Sequence, residues 1–362
     1  MWFSCALLLA MAVLSLTSRQ STLLAGSDDL FSFVLTATAS ALFTLNSRRA
    51  LNQERVFWGL MALGTALWGV DVAGAELAQL AETYIAAGGN FFDTAHCYAF
   101  WRGGLGESER ALGALLRART DRDRIVVATK CGHPAGGAGY PRPDQYLSPA
   151  RIGQDVAESL DRLGLDRVDI LYAHRDDPRV PAGEILAALN EPVQAGLVRY
   201  LGASNWSPAR IEEANAYAAG RGLASFVISQ PQWSLAEPDP GRPGWEPSMR
   251  AVSAGDRAWY VAAGLALTAY TSTARGYFSE HPSGASSTFD TTTSQSRRER
   301  ARTLAGEFGV SADIVALAWL INQPFPVIPV LGTKDPEHLE TALRAADLTL
   351  TPDQLRWLET GE

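Results

Sequence analysis

The sequence predicts an α/β fold in which eight strand–helix units close into a (β/α)8 TIM barrel, and three observations predict it. Short apolar runs that read as buried strands alternate with longer segments whose apolar residues recur at helical spacing. The alternation occurs eight times between about residue 59 and the C-terminus, within the roughly 250–300 residues such a barrel needs. Polar or charged residues also stand repeatedly where an apolar run ends, and these barrels build their sites at C-terminal strand ends. A doubly wound sheet is disfavoured, because no Gly-x-Gly-x-x-Gly follows the first strand. The run Gly103-Gly104-Leu105-Gly106 does not fit that pattern and follows no strand directly.

Taken in order, residues 60–68 hold Leu63-Gly64-Thr65 and read as the first strand, leaving through Leu67-Trp68-Gly69. Residues 76–87 read as a helix stopped by Gly88-Gly89. Asn90 leaves that stop, Phe91-Phe92 form a short buried strand, Asp93 closes it, and Tyr98 follows in the next loop. Residues 107–116 are helical, and 125–129 form a strand running into Lys130. After the glycine- and proline-rich 132–147, Ser148 as N-cap and Pro149 at the first position open a helix to Leu163. A strand over 168–173 stops at His174, and 182–195 is a helix that Pro192 should bend or shorten.

The strand 198–203 enters Ser204-Asn205, and Ser207-Pro208 cap a helix to about Ala219. Strands at 226–229 and 265–269 end at Gln230 and Tyr270. The polar stretch 279–296 reads as a mobile loop on the same face. A helix over 311–321, a strand over 327–330 and a helix capped by Asp335-Pro336 complete the barrel.

Composition narrows the function. A formal net charge of −8 and a pI near 5.3 argue against nucleic acid as a partner. Three cysteines (Cys5, Cys97, Cys131) cannot make a disulfide framework, so a reducing, cytoplasmic compartment is the simpler reading. Residues 1–55 form an irregular apolar leader ahead of a barrel domain over 56–362. Its runs 2–16 and 31–45 would make helices of roughly 22–24 Å, short of a ~30 Å hydrocarbon core. Membrane-associated helices and a loosely ordered leader both stay open.

The strand-end residues include Asp93, Lys130, His174, Ser204, Asn205, Gln230 and Tyr270. Asp93, Lys130 and His174 end three consecutive strands, and Tyr98 lies one short loop on, so the four can converge at one rim. A Lys within ~4 Å of the Tyr oxygen would favour the phenolate by about 4 kcal/mol at an effective dielectric of 20. That is about three pKa units, which would bring the phenol toward the working range of a general acid. Asp93 would hold the ammonium and keep it charged, and His174 could orient a carbonyl oxygen. Such a set protonates an alkoxide as it forms, as carbonyl reduction requires. Cys97 and Cys131, with His96 and His133, suggest a second class, a zinc-dependent barrel hydrolase. No His-x-His strand motif supports it, and a bound metal is not expected. Trp101, Trp206, Trp233 and Tyr277 either line a substrate pocket or pack loops.

From about Leu60 onward the chain resembles the aldo-keto reductase family. Its tetrad stands in order: Asp93 and Tyr98 in Phe-Asp-Thr-Ala-His-Cys-Tyr, Lys130 in Ala-Thr-Lys, and His174 in Leu-Tyr-Ala-His-Arg. The resemblance implies a barrel of the aldo-keto reductase type that binds NADPH in an extended pose and passes hydride to an aldehyde or ketone, with Tyr98 as acid. Ser204 and Asn205 in Gly-Ala-Ser-Asn-Trp, with Gln230 in Ser-Gln-Pro-Gln-Trp, match the family's nicotinamide-carboxamide residues, and Tyr270 matches the aromatic under the ring. Ser-Pro-Leu commonly follows that Tyr, whereas here Thr271-Ser272-Thr273 do, leaving Ser272 and Arg275 to serve the pyrophosphate.

The segment Gly332, Thr333, Lys334 through His338 matches the loop that holds the adenosine 2′-phosphate. Many relatives carry Lys at the Gly332 position, Arg at the His338 position and Asn at the Ala342 position. Lys334 is then the one firm cation, so NADPH is favoured and NADH is compatible. The family's N-terminal hairpin is not recognisable before Leu60. A non-catalytic, cofactor-sensing subunit is the further class this resemblance admits. Substrate choice would come from the loops 132–147, 236–259 and 277–296, whose composition fixes no chemistry.

Overall fold

The computed structural model describes residues 62–64, 74–100, 105–136, 140–282 and 284–362. The apolar leader at 1–55, the first strand's exit at 67–69, Trp101 and Gly103-Gly104 lie outside the described residues. Within them eight parallel strands close into a barrel in chain order: β1 (Ala62–Gly64), β2 (Phe91–Asp93), β3 (Val126–Cys131), β4 (Val168–Ala173), β5 (Val198–Ser204), β6 (Phe226–Gln230), β7 (Ala266–Ala269) and β8 (Val327–Leu331). The closure is made by β1, which pairs Leu63 with Phe92 of β2 on one side and with Leu331 of β8 on the other.

Strand periodicity sorts the side chains into two layers. Phe91, Ala128, Ile170, Tyr172, Ile228 and Val330 form one apolar cluster that fills the barrel. Their neighbours Phe92, Val127, Leu171, Leu201, Leu267 and Leu331 belong to the larger core against the helices. Fully burying each such side chain stabilises by about 1.5–3 kcal/mol. The barrel layer is tightly fitted at Gly202, where an added Cβ would stand 2.4 Å from the Tyr172 ring. The next position of the same register lies one step toward the C-terminal end, and there the polar residues begin. Asp93 follows Phe91, Lys130 follows Ala128, His174 follows Tyr172, and Gln230 follows Ile228.

The helices start and stop as the caps dictate. Pro149–Leu163 has Pro at its first position and ends at Gly164 in the left-handed conformation (φ 66°), although Ser148 makes no capping hydrogen bond. Ser207 does cap Pro208–Ala219, accepting from the Arg210 amide, and Asp335 caps Pro336–Leu343 through the Glu337 amide. Such a cap is worth ~1 kcal/mol. Pro192 sits in the last turn of Ala182–Gln194, which ends two residues later.

Two readings are corrected. The stretch 279–296 is not simply a polar loop: it holds the 3-10 turn Gly284–Phe289 and the first turn of the helix Thr292–Phe308, with Phe289 buried. Polarity misleads there because the polar groups are used internally. Buried Ser294 accepts from the Glu237 amide at 2.9 Å, and Arg297 donates to the Leu235 carbonyl at 3.0 Å. The helix Ala254–Ala263 was likewise not expected. It opens on a capping box between Ser253 and Asp256, and Tyr260 is its buried residue.

Candidate active site

Asp93 and Lys130 meet at the barrel rim with 2% and 1% exposure. Neighbouring registers put them there, Asp93 of β2 pairing with Ala128 of β3. The Lys130 ammonium has three acceptors: Asp93 Oδ2 at 2.6 Å, the Thr94 carbonyl at 2.8 Å and the Tyr98 hydroxyl at 3.1 Å. Three protons meet three acceptors, so the ammonium is fully satisfied. Burial pushes the Lys130 pKa down, but Asp93 and Tyr98 more than offset it, and the group holds its proton more firmly than a free lysine. A Tyr98 oxygen that accepts from an ammonium keeps its own proton for donation elsewhere.

The expectation that Lys130 would bring the phenol below its usual pKa is overturned. Burial pushes Tyr98 above 10.0, and the lowering by Lys130 offsets only part of that rise. The pairwise Coulomb argument had the right sign for the lysine and omitted the cost of desolvating a phenolate. Tyr98 is therefore a protonated phenol, and Lys130 limits how weak an acid it becomes.

His174 packs edge-on to Tyr98, with ring centroids 5.7 Å apart. Burial, then His133, Arg175 and Lys130, hold its imidazolium well below the usual pKa, so the ring is neutral. Its Nδ1 lies 3.6 Å from Cys97 Sγ. Burial raises the Cys97 thiol to about 12. A protonated thiol donating to Nδ1 leaves the ring hydrogen on Nε2, the tautomer that can donate to a carbonyl oxygen.

The remaining strand-end residues are joined to this centre by a chain of hydrogen bonds. Gln230 Nε2 donates to Asp93 Oδ1 at 2.9 Å. Ser204 Oγ donates to the Gln230 carbonyl at 2.9 Å, Asn205 Nδ2 donates to Ser204 Oγ at 3.0 Å, and the Tyr270 hydroxyl donates to Asn205 Oδ1 at 2.7 Å. Asn205 sits at φ 62°, a left-handed backbone that Asn tolerates better than most residues. Its Oδ1 also accepts from the Arg250 amide at 3.0 Å, which ties the long β6–β7 connection to the site.

The expected phosphate residues lie further around the rim. Ser272 is buried and donates to the Val330 carbonyl at 2.8 Å, while Arg275, at φ 56°, donates to the Gly244 carbonyl at 2.9 Å. Gly332, Thr333, Lys334 and His338 lie at the exit of β8 and the start of the helix after it. Thr333 accepts from the Asp335 amide, Lys334 is exposed, and His338 Nδ1 is 3.6 Å from Asp335 Oδ2. No hydrogen bond among the described residues joins this group to the tetrad.

Several participants escaped the sequence reading. Arg175, directly after His174, is buried; it donates to the His174 carbonyl at 2.9 Å and to Ser248 Oγ at 3.0 Å. A charged residue following a strand-end histidine was the available signal. His96 belongs elsewhere than the hydrolase reading needs: its Nε2 is 2.8 Å from Glu158 and its Nδ1 is 3.0 Å from the Tyr140 hydroxyl. Cys131 faces the helix-side core. Trp206, stacked edge-on to Phe226, and Trp233, between Trp319 and Phe325, are core residues. Tyr277 is buried and bonded to Asp290.

Comparison with known proteins gives the same outline. The description "Aldo/keto reductase family" is matched by residues 57–360. The chain is 30% identical over 313 residues to a 6-dehydroglucose reductase of Agrobacterium fabrum, covering 85% of this chain and 93% of that one. It is 27% identical over 327 residues to norsolorinic acid reductase of Aspergillus flavus, covering 88% and 80%. A Schizosaccharomyces pombe protein named as a voltage-gated potassium channel β-subunit is 30% identical over 286 residues, covering 75% and 79%. A crystal structure named as a 2,5-diketo-D-gluconic acid reductase B superposes with a TM-score of 0.60 at 23% identity, covering 83% and 86%, a likeness that bears on fold alone.

Proposed function

The chain belongs to the aldo/keto reductase family, with oxidoreductases among its relatives, and from that premise we propose that it reduces an aldehyde or ketone to the alcohol, reversibly, with NADPH as reductant. The observation that carries the reading is the satisfied Lys130 ammonium, 2.6 Å from Asp93 and 3.1 Å from the Tyr98 hydroxyl. When bound, NADPH supplies hydride to the carbonyl carbon. Tyr98 gives its proton to the carbonyl oxygen as negative charge builds there, and the phenolate left behind faces the Lys130 ammonium. Asp93, held at both oxygens by Lys130 and Gln230, keeps that ammonium in place. His174, neutral, donates from Nε2 to the same carbonyl oxygen and orients it. General acid catalysis of this kind is typically worth ~10²–10⁴-fold.

The residues present fit the cofactor's reactive end. Ser204, Asn205 and Gln230 gather hydroxyl and amide groups in a buried cluster suited to a primary carboxamide, and Tyr270 adds a half-buried ring beside them. Ser272, Arg275, Gly332 and Thr333 would take the phosphates. Lys334 with His338 would meet a 2′-phosphate at a helix N-terminus, a fit that favours NADPH while leaving NADH able to bind. Two buried free thiols, Cys97 and Cys131, support a reducing, cytoplasmic setting. Among the described residues no single helix is long and apolar enough to cross a membrane.

The likeness to a protein named as a potassium-channel subunit supports a second reading, a cofactor-sensing subunit with little turnover. NADPH consumption over a panel of sugars, aromatic aldehydes and ketones separates the two. Catalytic turnover of at least one class is expected. Tight NADPH binding with no turnover over the panel would overturn the reductase reading in favour of the sensor.

A further inference from the structure

Beside Tyr98 a second set of side chains converges, sharing His174 with the reductase reading and adding His133, which that reading does not use. Cys97, in the loop after β2, His133, in the loop after β3, and His174, at the end of β4, present one ligand atom each within 4.8 Å of one another. The Cys97 Sγ to His174 Nδ1 distance is 3.6 Å. Two ligands at ordinary Zn–S and Zn–N lengths around one tetrahedral ion stand ~3.5 Å apart, so this pair already has the required separation. The His133 and His174 rings are 4.7 Å apart by centroids and tilted at 73°.

The groups around His133 suit a ligand as well. His133 Nδ1 lies 2.7 Å from the Pro134 carbonyl, an arrangement that puts the hydrogen on Nδ1 and leaves the Nε2 lone pair outward. Glycine at 132, with φ 68°, turns the chain into this loop, and its amide is held by Asp155 Oδ2 at 2.9 Å. Lys130 and Arg175 lie close by, and their positive charges oppose a dication, so the three ligands must outweigh that repulsion.

We infer that Cys97, His133 and His174 form a binding site for one borderline-soft divalent cation of the Zn2+ class, and that filling it inhibits carbonyl reduction. One sulfur and two imidazole nitrogens select zinc-like ions over Mg2+ or Ca2+, which take oxygen ligands. Three protein ligands leave a fourth position for water. Binding replaces the thiol proton with the ion and releases that proton to solvent. Inhibition follows because closing atoms spread over 4.8 Å onto one ion moves them by up to about an ångström, and His174 is one of them. Misplacement on that scale near the chemistry costs ~10²-fold. The second half of the inference rests on the reductase reading, while the site itself does not.

The test uses the full chain, stripped with a chelator and titrated with Co2+ and then Zn2+. One equivalent of Co2+ should produce a thiolate-to-cobalt charge-transfer band, absent in Cys97→Ser. In competition with a chromophoric chelator, His133→Gln should weaken Zn2+ about tenfold or more. The two variants lie on different loops, so poor folding of one leaves the other, and the parent spectrum, to decide. No charge-transfer band, or equal Zn2+ affinity in the parent and both variants, overturns the site. A band in a protein that turns over no carbonyl without metal supports the site and sinks the reductase reading. Turnover unchanged by one equivalent of Zn2+ overturns the inhibition.

Discussion

Replacing Tyr98 with Phe separates what its hydroxyl does for stability from what it does for chemistry. The hydroxyl is the longest of the three contacts on the Lys130 ammonium, at 3.1 Å against 2.6 and 2.8 Å. Tyr98→Phe leaves one proton of a charged donor without its acceptor, and hydrogen bonds to charged groups are worth about 1.5–3 kcal/mol. The contact is the weakest of the set, so the lower end, about 1.5 kcal/mol, is expected, or roughly 2–4 °C in Tm. Loss of the proposed general acid should lower turnover ~10²–10⁴-fold, or about 2.7–5.4 kcal/mol of barrier at 1.36 kcal/mol per decade. NADPH affinity, which the proposed function assigns to residues at the ends of β5 to β8, should stay within about twofold. NADPH oxidation, fluorescence titration of the cofactor and a thermal melt read the three quantities. Turnover within threefold of the parent with intact cofactor binding would refute Tyr98 as the acid.

Three further outcomes follow from the same geometry. In the proposed mechanism the acid form of Tyr98 is the active one, and burial holds its pKa above 10.0, so turnover should show no Tyr98-dependent alkaline fall below about pH 10; a limb near neutrality that vanishes in Tyr98→Phe would contradict this. Lys130→Met should abolish turnover and cost about 3–5 kcal/mol in urea unfolding, because Asp93 is left charged and buried. Adding Asp93→Asn should recover much of that stability, and a single-variant loss under about 1 kcal/mol would show the pair is not buried as described. Lys334→Ala should weaken NADPH by roughly fivefold, about 1 kcal/mol for an exposed charge pair, with little effect on NADH. Equal losses for both cofactors would remove Lys334 from the 2′-phosphate.

The barrel and its rim were legible because strand periodicity writes them into the chain. An inward position carries an apolar residue low in the barrel and a polar one at its mouth, so Phe91 and Asp93, or Ala128 and Lys130, announce both the strand and its exit. The helix Thr292–Phe308 was hidden because Ser294 and Arg297 take inward positions that apolar residues would normally mark. Arg175 was missed because its one signal, a charge directly after a strand-end histidine, does not separate a buried arginine from a solvated one. The convergence of Cys97 with His133 depends on loop paths, which no periodicity encodes. The sign of the Tyr98 shift failed for another reason: desolvation depends on everything packed around the oxygen, and the sequence supplied one partner.

The Arg250 amide on Asn205 sets a boundary for anyone retooling this enzyme. The tail of the β6–β7 connection is braced at Arg250, at Ser248 through Arg175, and at Gln232, whose amide donates to the Arg250 carbonyl at 2.9 Å. A graft over 236–247 leaves those three braces in place, provided it keeps the Glu237 amide on Ser294 and the Gly244 carbonyl on Arg275. A graft that also replaces 248–252 would strip the brace from the hub asparagine and loosen the hydrogen-bonded cluster of Ser204, Asn205 and Tyr270.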